Sequence, residues 1–147
     1  IADGLILDGK LIDFSRKESP KRSWELLLPT GASVESLLSP SGILNQYNKL
    51  NNSNIKKMDE ILKFENYQKI FSNIIEAFTF LVKDRTSFFQ KRNKIIEKII
   101  IGQRLGKFLS NGNILSNLIK ESTDIEVKFS SDRRTAALGA AWKLICS

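Results

Sequence analysis

The stretch Lys98-Ile99-Ile100-Ile101-Gly102 is a continuous apolar run that ends in glycine. Three β-branched residues in a row predict a short strand, and the lack of polar alternation indicates that both of its faces are buried. The residues that follow, 102–109, have the spacing of a helix. We therefore expect a buried strand that leads directly into a helix, which is typical of an α/β fold.

The C-terminal side of this stretch continues the alternation of helix and strand. Residues 113–120 predict another short helix, and residues 125–129 alternate apolar and polar side chains as a strand does. Strands joined through helices are expected to be parallel neighbours with right-handed crossovers. Residues 135–145 are rich in alanine and predict a last helix that carries three large side chains inward: Leu138, Trp142 and Ile145.

The N-terminal side begins with strand patterns. Two apolar runs within residues 5–14 meet at Asp8-Gly9. This dipeptide accepts the positive φ angles of a type I′ turn, so the segment predicts a β-hairpin. Residues 24–28 predict a third strand that ends at Pro29.

Helical patterns follow this third strand. Ser33 is the expected N-cap of a first helix, and Ser39 caps a second helix with Pro40 at its first position. Residues 55–62 predict a short helical piece, and residues 67–94 predict a long amphipathic helix or a helix pair. The predicted order is βββα, a helical insertion over about residues 50–95, and then αβαβα. This order predicts the α/β class with a mixed sheet, and 147 residues predict a single domain.

The composition limits the chemistry that is open to this chain. Hydrophobic residues make up 41% and charged residues 27%, as in ordinary globular proteins. The absence of histidine and the single Cys146 exclude Ser-His and Cys-His nucleophile pairs, an internal disulfide and a zinc site within the chain. The apolar runs are far shorter than the ~20 residues needed to span a bilayer, so we expect no membrane association. A reducing compartment fits the cysteine usage, and we expect a cytoplasmic protein.

The charge of the chain leaves one further alternative. A net charge of +7 and a pI near 9.6 are compatible with a polyanionic partner. The lysines are spread along the sequence rather than clustered, so a nucleic-acid partner is not expected and is kept as a minor alternative.

Four segments, in order along the chain, carry a resemblance to a known family. Residues 34–47 read Val-Glu-Ser-Leu-Leu-Ser-Pro-Ser-Gly-Ile-Leu-Asn-Gln-Tyr, and residues 99–106 read Ile-Ile-Ile-Gly-Gln-Arg-Leu-Gly. Residues 136–141 read Ala-Ala-Leu-Gly-Ala-Ala, and residues 2–11 open the chain with Ala-Asp-Gly-Leu-Ile-Leu-Asp-Gly-Lys-Leu. Together they resemble the bacterial glucokinases and the related ROK (repressor, open reading frame, kinase) sugar kinases of the actin-like ATPase superfamily. The matching family features are a glutamate before "LSG-x-G-L-x-x-x-Y", a strand-then-glycine adenosine motif, the "LGAA" helix and the residues after the second phosphate-binding loop.

The resemblance implies an actin/hexokinase-like (ribonuclease H-like) fold, with residues 1–147 as the C-terminal lobe of the kinase. It implies an ATP- and Mg²⁺-dependent transferase that phosphorylates a hexose such as glucose. The general base and both phosphate loops would lie before residue 1, so the isolated chain is expected to be inactive. The N-terminal lobe of the same protein is the expected partner, and a homodimer is left open. The zinc module of the ROK kinases is absent from the sequence, so no zinc is expected.

The resemblance also assigns two sugar-binding carboxylates. Glu35 corresponds to the family glutamate at the start of a helix, where its oxygens would accept bonds from sugar hydroxyls. The alternative is that Glu35 only stabilises the helix start after the Ser33 cap. Glu25 corresponds to the glutamate of a "GE-x-GH"-like motif, but the flanking glycines and histidine are missing here. The alternative for Glu25 is an exposed carboxylate on a strand.

Three residues at the end of the apolar run are the expected adenosine-binding element. Gly102 would let the backbone approach a nucleotide and aim helix amides at it. The family has two or three glycines here, whereas this chain has Gln103 and Arg104 after the first, which would reshape an adenine pocket. The alternative is an ordinary strand-to-helix turn. Gly139, in the last predicted helix, is expected to permit close helix packing.

These departures from the family pattern favour a second hypothesis. The chain would then be a non-catalytic descendant of such a kinase that serves as a sugar-sensing or assembly domain.

Overall fold

The structure is a computed structural model that describes residues 3–63 and 66–131. The described chain divides into two compact units, the first built from Asp3 and residues 13–96 and the second from residues 4–12 and 97–131. The interpretation of the whole chain as one lobe with an insertion stays a prediction. The predicted last helix, with the segment 136–141 and Gly139, lies outside the described residues.

The first unit is helical. Its elements are α1 (Val34–Leu38), α2 (Pro40–Asn51), a 3-10 helix (Met58–Lys63) and α3 (Tyr67–Gln90). Both predicted caps are confirmed, because Ser33 Oγ accepts the Ser36 N–H and Ser39 Oγ accepts the Gly42 N–H, each at 3.1 Å. Pro40 occupies the start of α2, where its missing N–H costs no helical bond.

The core of this unit lies where α1 and α2 pack on α3. The long apolar stripe predicted for residues 67–94 forms one continuous helix rather than a pair. Its buried side chains meet those of the two shorter helices, and burying each large apolar side chain contributes about 1.5–3 kcal/mol. The fully buried members from the three helices include Val34, Ile43, Tyr47, Phe71 and Ile74.

A buried arginine in α3 was not predicted from the sequence. Arg85 is 4% exposed, and its Nε and Nη2 donate to the Asp3 carboxylate at 2.9 and 2.7 Å. Nη1 donates to Asp84 at 2.5 Å, and Nη2 also donates to the carbonyl of Lys21 at 2.8 Å. The ring of Phe14 lies 5.6 Å from the guanidinium carbon. This one side chain therefore joins α3 to Asp3 and to the segment that precedes α1.

The second unit contains both strand pairs. Strands β1 (Ile6–Leu7) and β2 (Lys10–Leu11) form the predicted antiparallel hairpin, and its turn has φ angles of 50° at Asp8 and 76° at Gly9. Strand β3 (Lys98–Ile101) leads into α4 (Gln103–Ser110) and α5 (Ile114–Glu121), and the chain returns as β4 (Glu126–Phe129). The pairing of β3 and β4 is parallel, as predicted, with Ile99 opposite Val127. The mixed α/β class is thereby confirmed in its general form.

The predicted burial of β3 on both faces is wrong. Ile100 is 64% exposed, and its partner across the ladder is the exposed Lys128. The reason is that side chains alternate between the two faces of this strand pair: Ile99 and Val127 turn inward, where α4 and α5 pack on β4, whereas Ile100 and Lys128 lie on the opposite, exposed face. On the exposed face, the ammonium groups of Lys128 and Lys98 donate to the Glu126 carboxylate. These bonds lower the pKa of Glu126, and the bond from Lys128 has the larger effect.

Two further predictions about the sheet are also wrong. Residues 24–28 form no strand, because the backbone closes a turn in which the Leu26 N–H donates to the Arg22 carbonyl at 3.0 Å. What remains is a single bridge between Leu27 and Ser33. The hairpin and the β3–β4 pair form separate two-stranded sheets in the described chain, so the predicted common mixed sheet is not present there.

Helix α4 lies unusually close to the strand ends. A Cβ on Gly106 would stand 2.3 Å from the carbonyl oxygen of Ile101 and 2.6 Å from that of Ser130. The Ser130 N–H donates to the same Ile101 oxygen at 2.9 Å. Gly106 therefore permits the first turns of α4 to rest directly on the ends of β3 and β4.

Candidate functional site

An open groove of about 460 Å³ lies between α1 and α2 in the first unit. Seven of its nine lining residues carry polar side chains, which can bond to a ligand rich in hydroxyl groups, although most of the surface that lines the groove is apolar. The hydroxyl groups come from Ser36, Ser39 and Ser41, the amides from Asn45 and Gln46, and the charged groups from Glu35 and Lys49.

The close approach of α1 and α2 shapes the groove. A Cβ on Gly42 would stand 2.2 Å from the carbonyl oxygen of Ser36, so only glycine allows this crossing. Gln46 Nε2 donates to the carbonyls of Ser36 and Leu37, both at 3.4 Å, and Asn73 Nδ2 donates to Gln46 Oε1 at 3.1 Å. The bonds from Gln46 satisfy carbonyls at the C-terminal end of α1. The bond from Asn73 links Gln46, and with it one wall of the groove, to α3.

The structure brings one of the two predicted sugar ligands into this groove. Glu35 lies in the first turn of α1, is partly buried and lines the groove. Glu25 is exposed and does not line it, and its Oε2 accepts the N–H of Arg22 at 2.9 Å. The two segments are nonetheless adjacent, because the Glu35 N–H donates to the Ser23 carbonyl at 3.2 Å. Both sugar-binding roles stay predictions.

The predicted adenosine-binding residues lie in the second unit, at the turn from β3 to α4. Gly102 precedes α4 with an extended backbone and makes no side-chain cap, and the space beside it is open. Gln103 and Arg104 are both exposed in the first turn of α4. Uncapped amides at a helix start, together with an arginine, fit the phosphate of a nucleotide. No three acidic or cysteine side chains within residues 3–63 and 66–131 gather to hold a metal ion.

Gln103 adopts a backbone conformation that a side chain disfavours, with a φ angle of 59°. The left-handed conformation costs a non-glycine residue about 1–2 kcal/mol, and glycine avoids most of this cost at an entropic loss of about 0.5–1 kcal/mol. We predict that Gln103→Gly raises the free energy of unfolding by up to about 1 kcal/mol, as measured by urea denaturation. The matched variant Gln103→Ala keeps the conformational cost of the left-handed backbone, so its free energy of unfolding should not exceed that of the wild type. Equal stabilities of the glycine and alanine variants would show that the backbone at residue 103 is unstrained.

Sequence reasoning missed most of the groove. The residues Ser41, Asn45 and Lys49 recur every four positions along α2 and therefore share one face of the helix. The same helix places Ile43 and Tyr47 in the core. A polar stripe beside an apolar one was visible in the sequence, but it does not distinguish a binding face from a solvated one.

Comparisons with the profiles of known protein families, with curated proteins and with solved structures find no match in any of the three. Within the part of the chain that the structure describes, none of the helices has the length and apolar character needed to cross a membrane.

Proposed function

We propose that this chain is the hexose-binding C-terminal lobe of an actin-like sugar kinase of the glucokinase type. The observation that carries the proposal is the position of Glu35, the carboxylate singled out by the family resemblance, in the open groove of the first unit. A hexose offers hydroxyl donors in several directions, and a carboxylate flanked by serine hydroxyls and side-chain amides can accept and donate to them. The described sheets differ from the predicted strand order. An actin-like topology for the chain is therefore part of this proposal.

In this proposal the second unit contributes the nucleotide element. Gly102 would admit the adenosine moiety, and Gln103 and Arg104 would line its surroundings, with the uncapped amides of α4 facing phosphate oxygens. ATP with Mg²⁺ supplies the transferable phosphoryl group when bound. The general base, both phosphate loops and the metal ligands would come from the N-terminal lobe, so this chain alone is not expected to release ADP in the presence of glucose.

A second candidate is a non-catalytic sugar-binding domain derived from such a kinase. The side chain of Glu25 favours this candidate. Its Oε2 accepts the Arg22 N–H and closes a local turn, a role that needs no ligand. Under this hypothesis hexose binding persists, and ATP neither binds nor is consumed when the N-terminal lobe is supplied. A nucleic-acid-binding module remains the third alternative and rests on net charge alone.

We predict that Glu35→Gln weakens hexose binding and leaves the melting temperature nearly unchanged. The amide accepts fewer bonds than the carboxylate and presents donors to the sugar hydroxyls. Losing a charged acceptor costs about 1.5–3 kcal/mol, or about tenfold to a hundredfold in affinity. Isothermal titration of glucose into wild type and variant measures the affinity, and thermal denaturation measures stability.

The matched control is Glu76→Gln, which removes an exposed carboxylate on α3 outside the groove. It should change neither quantity. If Glu35 only stabilises the start of α1, Glu35→Gln should instead lower stability by about 0.3–1 kcal/mol and leave glucose affinity unaltered. That outcome would remove the carboxylate from the proposed sugar site.

A further inference from the structure

The groove contains a positively charged residue that a neutral hexose does not require. Lys49 lies in the last turn of α2 and lines the same groove as Glu35. It follows Gln46 by three residues, which places it about 4.5 Å further along the helix axis. Since Gln46 bonds to the end of α1, Lys49 extends the groove beyond the point where the two helices touch.

The ammonium group of Lys49 is available to a ligand. Lys49 is exposed and forms no ion pair with another described residue. A lysine at this position is favourable for the dipole of α2, but that effect does not require it to line a groove. The groove is open to solvent, and its volume of about 460 Å³ leaves room for a substituted sugar.

We propose that the groove selects a hexose that carries an anionic substituent, and that Lys49 is the residue that binds this substituent. The inference rests on the proposed hexose site and adds the substrate class to it. Glu35 accepts bonds from ring hydroxyls and repels an anion, whereas Lys49 attracts it, so the two charges orient the ligand in one direction. A phosphate monoester and a uronic acid carboxylate share the required chemistry.

Titrations with three sugars distinguish a phosphate substituent from a carboxylate substituent. Glucose, glucose 6-phosphate and glucuronate are each titrated into the full chain by calorimetry at low salt. The wild-type chain should bind at least one of the two anionic sugars about fivefold more tightly than glucose. If both anionic sugars bind more tightly than glucose, a single negative charge on the substituent suffices. If only glucose 6-phosphate does, the site requires a dianionic substituent.

Variants at Lys49 test the assignment. Lys49→Gln should abolish the preference for the anionic sugar over glucose, and Lys49→Arg should keep this preference because it keeps the charge. The control Lys69→Gln removes an exposed lysine of α3 outside the groove and should have no effect. Equal affinities for all three sugars, or a preference that survives Lys49→Gln, would overturn this inference and leave the hexose site standing. Failure of every sugar to bind would overturn the hexose site and this inference together.

Discussion

Replacing Arg85 by methionine is expected to lower the free energy of unfolding by about 2–4 kcal/mol. The guanidinium group is buried and bonds to the Asp3 and Asp84 carboxylates and to the Lys21 carbonyl. Methionine fills much of the same space but leaves these three acceptors without their donor. The Asp3 and Asp84 side chains are 17% and 33% exposed, so water partly solvates the charges that remain, and the cost lies mainly in the lost charged hydrogen bonds.

The matched control for this prediction is Arg16→Met. Arg16 pairs with Asp13 at 3.9 Å, but the two side chains are 70% and 53% exposed. An exposed pair contributes only about 0–1 kcal/mol, so the control should remain close to wild type. Urea denaturation followed by far-ultraviolet circular dichroism compares the two variants. If Arg85→Met proves as stable as Arg16→Met, the bonds of Arg85 to Asp3, Asp84 and the Lys21 carbonyl do not stabilise the first unit.

The second large effect is expected at Gly106. Gly106→Ala should lower the free energy of unfolding by about 3 kcal/mol, because the added methyl group would overlap the Ile101 and Ser130 carbonyl oxygens. Neither obstacle is a flexible side chain, so relief requires α4 to shift away from β3 and β4. The same denaturation experiment measures this loss.

Gly102→Ala is the matched control, four residues earlier in the same motif. No atom lies within 4 Å of a Cβ at Gly102, and its φ of −115° is open to any residue. This variant should stay within about 0.5 kcal/mol of wild type. Equal losses from the two alanine variants would mean that α4 does not pack on the strand ends as described.

The features that the sequence predicted well are those decided by neighbouring residues. Ser33 and Ser39 cap their helices because a side-chain oxygen three residues before an N–H needs no tertiary contact to reach it. Asp8-Gly9 closes the hairpin for a similar local reason. The long helix α3 follows from an apolar stripe that repeats over many turns.

The features that failed depend on what the rest of the chain provides. Three isoleucines in a row indicate burial on both faces only if covering elements exist on both, and Ile100 has none in the described chain. The segment around Glu25 has strand-like residues, yet Arg22 and Leu26 close a turn through backbone bonds. Arg85 escaped notice because its carboxylate partner Asp3 is distant in sequence.

The candidate site shows the same division. Glu35 was found through the family resemblance, whereas Lys49 and Asn45 became candidates only when α1 and α2 were seen to enclose a groove. Gly42 and Gln46 set that geometry, one by permitting close approach and the other by bonding to the carbonyls of α1. Neither role follows from the residue type alone.

The measurement that tests the hexose site most directly is a titration of the ¹⁵N-labelled chain with glucose, followed by two-dimensional amide nuclear magnetic resonance. We expect the perturbed signals to cluster on the groove, at the backbone amides of Glu35 and Ser36 and at the side-chain amide of Asn45. Signals of the exposed β3–β4 face, including Ile100, should not move. Unchanged groove signals at high glucose concentration, or perturbations confined to other surfaces, would contradict the proposal that this chain binds a hexose between α1 and α2.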